Sequence, residues 1–266
     1  GCGEPTRCRR VDAGAASGHI GRLPATDQIV SDSKPHARGR RRRILRRAGI
    51  AVLIVAALPF VLSVLYSVVN PVSTLMLGRW LTGESVTRTW VPLEKISPPL
   101  VRAVMVSEDA RFCMHWGVDV AQVSEVLSGF MDGEETRGAS TISMQTAKNL
   151  FLWPGRSYLR KALELPIALW LDLILSKDRL LEIYLNIAEF GPGVFGVEAG
   201  AQRAFGKPAS QVGPREAALM ATTLPNPESR NPARPSAGQS RLAARVNREV
   251  GRSDWVFYCL EPRVQP

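Results

Sequence analysis

The longest uninterrupted pattern in the chain is apolar: Ala48 to Val69 contains no charged residue. At about 1.5 Å of rise per residue, a helix of that length spans roughly 33 Å, enough for a hydrocarbon core of about 30 Å. A membrane-spanning helix is predicted there, because buried core helices seldom run so far without a charge. Pro59 would kink a soluble helix but is tolerated in lipid. A cleaved signal peptide fits less well. The run exceeds a typical apolar signal core, and Ser67-Val68-Val69 is a poor small-residue cleavage site.

Past this run the periodicity becomes helical. Residues 70–90 read as a connector that opens at Asn70-Pro71 and carries Gly78 and Gly83. Ser97-Pro98-Pro99 then offers an N-cap with proline in the first turn, and Leu100, Val101, Ala103, Val104 and Met105 continue an apolar helix to Glu108. Arg160 to Leu175 reads as a second long helix with a bend at Pro166. Ser176 is placed to cap a third, whose broad apolar stripe runs from Leu180 to Ile187. Pro214 to Leu224 forms a fourth, stopped by Pro225, and a short basic helix covers Arg241 to Val250. Gly191, Gly193, Gly196 and Gly200 mark a loop. No run of alternating strands and no internal repeat is visible. The expected fold is mainly α: a disordered arm over 1–47, a transmembrane helix over 48–69, the connector, a helical domain over 91–250 and a tail over 251–266.

Charge changes the picture in one respect. The net charge is +10, yet residues 1–47 hold twelve Lys and Arg against four Asp and Glu, so eight of those charges sit in the arm. The basic pI therefore describes the arm, which is poor in aromatic residues and shows no nucleic-acid fold signature, and nucleic acid is not an expected partner. Its arginines suit anionic lipid headgroups instead. Lying N-terminal to the apolar run, they put that end in the cytoplasm and the helical domain outside. On this topology Cys2 and Cys8 are on the reducing side and Cys113 and Cys259 on the other. Whether the latter two pair is open at this point.

Several chemistries are missing from the sequence. There is no HExxH, no paired CxxC and no GxSxG, and no zinc site is signalled. Gly200 to Lys207 resembles a phosphate loop only loosely, with Pro208 where Ser or Thr is needed. The sole SxxK, Ser31 to Lys34, lies in the arm without a following KTG, which excludes a penicillin-sensitive transpeptidase.

Three segments could carry chemistry. Glu108-Asp109 closes an apolar helix, where the macrodipole disfavours negative charge and a carboxyl group can serve as a base near neutrality. The alternative is a solvated acidic helix end. Ser140 to Asn149 is a polar run containing Gln145 and Lys148, equally readable as a sugar or phosphate groove or as a capped helix start. Arg156, Arg160, Lys161 and Glu164 follow closely, with Glu164 one turn from both Arg160 and Lys161. They read either as a surface ion pair or as cations that neutralise a diphosphate leaving group.

Taken in order, these blocks resemble the peptidoglycan glycosyltransferases. Glu108 to Asp119 is similar to EDxxFxxHxGhD, Gly138 to Asn149 to GxSTITQQxxKN, and Arg160 to Glu164 to RKxxE. Lys177 to Gly196 and Ala217 to Pro227 complete the series, and together the blocks cover roughly residues 90–232. TAKNLFLW (Thr146 to Trp153) and YLNIAEFG (Tyr184 to Gly191) look like the monofunctional proteobacterial branch. Met144 departs from the pattern, standing where the family usually has a glutamine.

The resemblance implies a lysozyme-like bilobal helical domain against the outer face of the cytoplasmic membrane. It also implies polymerisation of the lipid-linked disaccharide precursor, lipid II, into glycan strands. Glu108 would be the base for the acceptor's 4-hydroxyl, which attacks the donor's anomeric carbon with inversion and expels undecaprenyl diphosphate. Glu164 would assist on the donor side, and Gln145, Lys148, Arg156, Arg160 and Lys161 would bind the donor's sugar and diphosphate. Ser140, Tyr184 and Asn186 would shape the cleft, and His115 would orient rather than react. No cofactor is required, although magnesium or manganese could accompany the diphosphate. Expected partners are lipid II, the nascent glycan, membrane lipid and proteins of the division or elongation machinery. The rival readings are a lytic transglycosylase or lysozyme-like hydrolase, which would need no diphosphate clamp, and a non-catalytic membrane-tethered scaffold.

Overall fold

The computed structural model describes residues 35–131, 140–155 and 157–260. Arm residues 1–34 (with Cys2 and Cys8), Gly138-Ala139 of the second block, Arg156 and residues 261–266 lie outside the described residues. The chain divides into two units, Gly1–Ile50 and Ala51–Pro266.

The apolar run is helical, with shifted limits. Helix α1 covers Pro35–Leu65, and its stretch Arg40–Leu65 is long and apolar enough to cross a membrane. It starts well before Ala48 because arginine is a good helix former, and an established helix propagates at little cost. The arm is therefore helical from Pro35, against the expectation of disorder up to residue 47. At the other end the helix stops at Leu65, and 66–69 form a turn. Arg179 meets the backbone there, donating to the carbonyls of Tyr66 (2.9 Å) and Val69 (2.8 Å).

The connector also needs correction, since it holds helix α2, Thr74–Leu81, and strand β1, Thr87–Arg88. Ser73 caps α2 by accepting from the Met76 amide (3.2 Å), and the fully buried Met76 anchors it in the core. The glycine loop is likewise partly strand. β2 (Glu189–Gly191) and β3 (Val194–Phe195) pair antiparallel, and β1 adds parallel to β3. Strands this short leave no alternation to read. Gly193 turns the hairpin at φ +73°, where a Cβ would lie 2.5 Å from the Ser85 carbonyl oxygen. Gly200 belongs to helix α8, Val197–Phe205, rather than to the loop.

The remaining helices fall in two groups. α3 (Pro98–Glu108) packs on α9 (Pro214–Ala221) and α10 (Ala237–Val250). α5 (Ile142–Phe151) packs on α6 (Tyr158–Ile174) and α7 (Lys177–Ile187). α4 spans Val120–Met131. Ser176 caps α7 as expected, accepting from the Arg179 amide, and the stripe from Leu180 to Ile187 is buried. α9 ends three residues short of Leu224 as its last turn tightens, with the Thr223 amide donating to the Met220 carbonyl (2.9 Å). α6 leaves Leu159, Leu169 and Leu173 exposed.

The segment after residue 250 is part of the domain. Val256, Phe257 and Leu260 are buried in the core, and Cys113 is disulfide-bonded to Cys259. The Tyr258 hydroxyl donates to the Cys113 carbonyl (2.5 Å), so the tail is fastened to the first motif block twice.

Candidate active site

Glu108 is the last residue of α3, and α5 crosses in front of it. Its carboxylate accepts from the Gln145 amide nitrogen (3.0 Å) and, at 3.4 Å, from the Ser107 hydroxyl. Gln145 is in turn held by Tyr184, whose phenol donates to its amide oxygen (3.0 Å). That contact fixes which way the amide points, leaving its nitrogen for Glu108. Burial pushes the Tyr184 phenol well above its ordinary value, so it stays a neutral donor. Burial also raises Glu108 above the usual carboxylate range; the Gln145 and Ser107 bonds and then the Lys148 and Arg230 charges oppose this only in part. The expected elevation is present, with burial as its leading cause. Glu108 opens into a cavity of about 650 Å³ whose walls include Ser140, Gln145, Thr222, Arg230 and Arg245.

The cations form a second constellation, on α5 and α6. Ser157 caps α6, and the first turn then presents Arg160 and Lys161. Both are ion-paired to the buried Glu164: Arg160 through a short contact, Lys161 at 3.0 Å. Lys161 also donates to the Ser140 hydroxyl (2.7 Å), which ties the polar run to the cation cluster. Lys148, one turn from the end of α5, feels the charges of Glu164, Arg160, Lys161 and Glu108. Its pKa is lowered, first by burial, with Glu164 pulling the other way. Among the described residues no group of three His, Cys, Asp or Glu could hold a metal ion. Glu164, the carboxylate beside the cations, is already paired twice, so these residues fit an anion rather than a resident metal.

Between the two constellations runs a buried polar frame. Asp109 accepts from the Ile142 amide (3.0 Å) at the start of α5 and meets His115 Nε2 at 3.0 Å. Thr141, the N-cap of α5, donates to the Gly117 carbonyl (2.6 Å). Asp172 accepts from the Gly117 amide through a short bond and from Lys177 (2.8 Å). Gly117 lies at φ +72° with its α-carbon so close to α6 that a Cβ would sit 2.6 Å from the Ala168 carbonyl oxygen. His115 is held in this frame by Asp109. Met144 is buried in the core, which explains how an apolar residue can stand at that position.

Most of the expected site residues converge: Glu108, Gln145, Lys148, Ser140, Arg160, Lys161 and Glu164 share one region. Two of the residues expected to shape the cleft have structural contacts. Asn186 is fully buried, accepting from the Val91 amide (2.8 Å) and donating to the Val91 and Glu182 carbonyls (2.8 Å each), so it braces the backbone away from the cleft. Tyr184 is also buried and reaches the site only through Gln145. Sequence reasoning passed over Arg230, which sits in a proline-rich stretch without helical period.

A buried carboxyl group opening into a cavity, with a cluster of cations on the neighbouring helices, is an arrangement suited to glycosyl transfer with an anionic leaving group. The family model described as transglycosylase matches residues 75–252, and the chain belongs to that family. That span reaches further in both directions than the domain expected over 91–250, taking in α2. The chain is 57% identical over 205 residues to the biosynthetic peptidoglycan transglycosylase of Rhodopseudomonas palustris (strain HaA2), covering 76% of this chain and 90% of that one. It is 50% identical over 221 residues to the protein of the same name from Agrobacterium fabrum, covering 82% and 98%. For that of Nitrobacter winogradskyi the figures are 53% over 203 residues, 76% and 90%.

Proposed function

We infer that this protein polymerises lipid II into linear peptidoglycan strands. Glu108 takes the proton from the acceptor's 4-hydroxyl as that oxygen attacks the donor's anomeric carbon. The configuration inverts and undecaprenyl diphosphate leaves. Lys148, Arg160 and Lys161 neutralise the charge that develops on the diphosphate. Glu164, in contact with both Arg160 and Lys161, holds those cations in place on the donor side. Serving as a base asks for a carboxylate with a raised pKa and room for a sugar beside it, and this is what Glu108 has. The observation that carries the reading is the pairing of that group with a separate cation wall, which a hydrolase would not need. A divalent ion, if used, would arrive with the diphosphate.

The anchor helix, the arginines before it and the exposed leucines of α6 support a single-pass protein of the inner membrane, with its domain on the periplasmic side resting on lipid. The Cys113–Cys259 disulfide agrees with an oxidising compartment.

The test is to incubate detergent-solubilised protein with labelled lipid II and separate polymer from precursor. Lysozyme-sensitive polymer, lost in Glu108→Gln, is the expected result. Cleavage of added peptidoglycan without polymer would instead make the protein lytic, and neither activity would leave a scaffold.

A further inference from the structure

The Glu108 cavity is lined by cations other than the Lys148, Arg160 and Lys161 cluster. Arg230 is half-buried there, its guanidinium anchored by donation to the Thr222 carbonyl (2.6 Å) at the end of α9. Arg245 projects from the neighbouring face of α10. A second cavity of about 440 Å³ shares Arg230, Leu242 and Arg245 with the first and adds Arg241, so the two form one basic trough leading away from Glu108. Besides Glu108, its acidic wall residue is Glu249, which accepts from the Ser253 hydroxyl (3.3 Å). Among the described residues neither Arg230 nor Arg245 has a carboxylate within ion-pair distance. None of Lys148, Arg160 and Lys161 lines either cavity.

We propose that Arg230 and Arg245 recognise an anionic group of the sugar substrate other than the leaving diphosphate, and so help set which substrate the enzyme accepts. A half-buried guanidinium with one N–H fixed by the backbone, lining a cavity, is pre-ordered for an oxygen anion. The trough starts at the carboxyl group that activates the sugar, so its occupant is joined to that sugar. Two anions meet the requirement: the carboxylates of the stem peptide and the diphosphate of the second, incoming precursor.

The proposal rests on the polymerase reading, which wild-type polymer formation tests separately. The experiment measures kcat/KM for Arg230→Gln, Arg245→Gln and the double variant on lipid II with free or amidated stem carboxylates. Losing a charge-assisted hydrogen bond should lower kcat/KM about tenfold for Arg230→Gln, mainly through KM, and less for Arg245→Gln. A loss abolished by amidation assigns the trough to the stem carboxylates; an equal loss on both substrates assigns it to the incoming diphosphate. Unchanged kcat/KM in the double variant would overturn the proposal. So would a fall confined to kcat with a displaced acid limb, which would mean that Arg230 acts only through Glu108. Arg245 is exposed on α10, so its replacement decides the matter even if Arg230→Gln folds poorly: unchanged kcat/KM there sinks the trough.

Discussion

Glu108 and Glu164 are the same residue type within one site, and their surroundings separate them. Glu108 has neutral partners, an amide and a hydroxyl, with charges only at a distance, and burial keeps its proton affinity high. Glu164 is more deeply buried but carries two cations in direct contact. Burial alone thus does not make a base. At Glu108 burial goes with neutral partners and a cavity, whereas Glu164 is buried against two cations that it holds in place as a strut.

The sharpest way to break this comparison is Glu108→Gln. General-base catalysis contributes roughly 10²- to 10⁴-fold, so polymerisation should fall by that order while the melting temperature holds. Comparable rates in the variant would remove Glu108 from the chemistry. Glu164→Ala should do the opposite first. It leaves Arg160 and Lys161 facing each other unpaired, and removing one partner of a buried pair costs about 3–5 kcal/mol, here at the low end because Lys161 is partly exposed. Denaturant unfolding should show that loss together with a raised donor KM; full stability would mean that Glu164 is no strut.

A smaller effect is expected in the pH profile. The acid limb of kcat/KM should lie above the ordinary carboxylate range, because the base must lose its proton and burial disfavours that. Gln145→Leu removes a bond that favours the ionised form, so the limb should move to higher pH. A move to lower pH would contradict the assignment. The smallest effect belongs to Tyr184→Phe, which costs one hydrogen bond to Gln145, about 1 kcal/mol, and should slow turnover no more than about tenfold while moving the limb in the same direction as Gln145→Leu but less.

What the sequence displayed and what it hid divide along a physical line. α3, α6 and α7 were readable because their apolar runs and the Ser176 cap of α7 are local, as are the Glu108 and RKxxE blocks; Ser97 stands at the start of α3, but its hydroxyl donates to the Val212 carbonyl instead of capping the helix. α2 was hidden by its eight residues and a central glycine, and the strands by having only two or three residues each. Asn186 looked like a cleft residue because its role is set by Val91, far away in sequence. Arg230 was hidden for the same reason: it enters the site through a fold-back that no periodicity announces. The hydrophobic tail from Val256 to Leu260 offered no motif, although its burial ties it to the first block.

That tie has a consequence for how the molecule matures. Cys113 follows Glu108 closely, whereas its partner Cys259 lies 146 residues further on. On the inferred topology the amino end stays inside, and the domain, exported from the anchor helix onward, displays the first thiol long before the second. The catalytic segment stays unfastened until the last helix and its tail have followed. The disulfide that fastens the first block can close only after Cys259 has followed, so the last helix and its tail are the closing stitch of this domain.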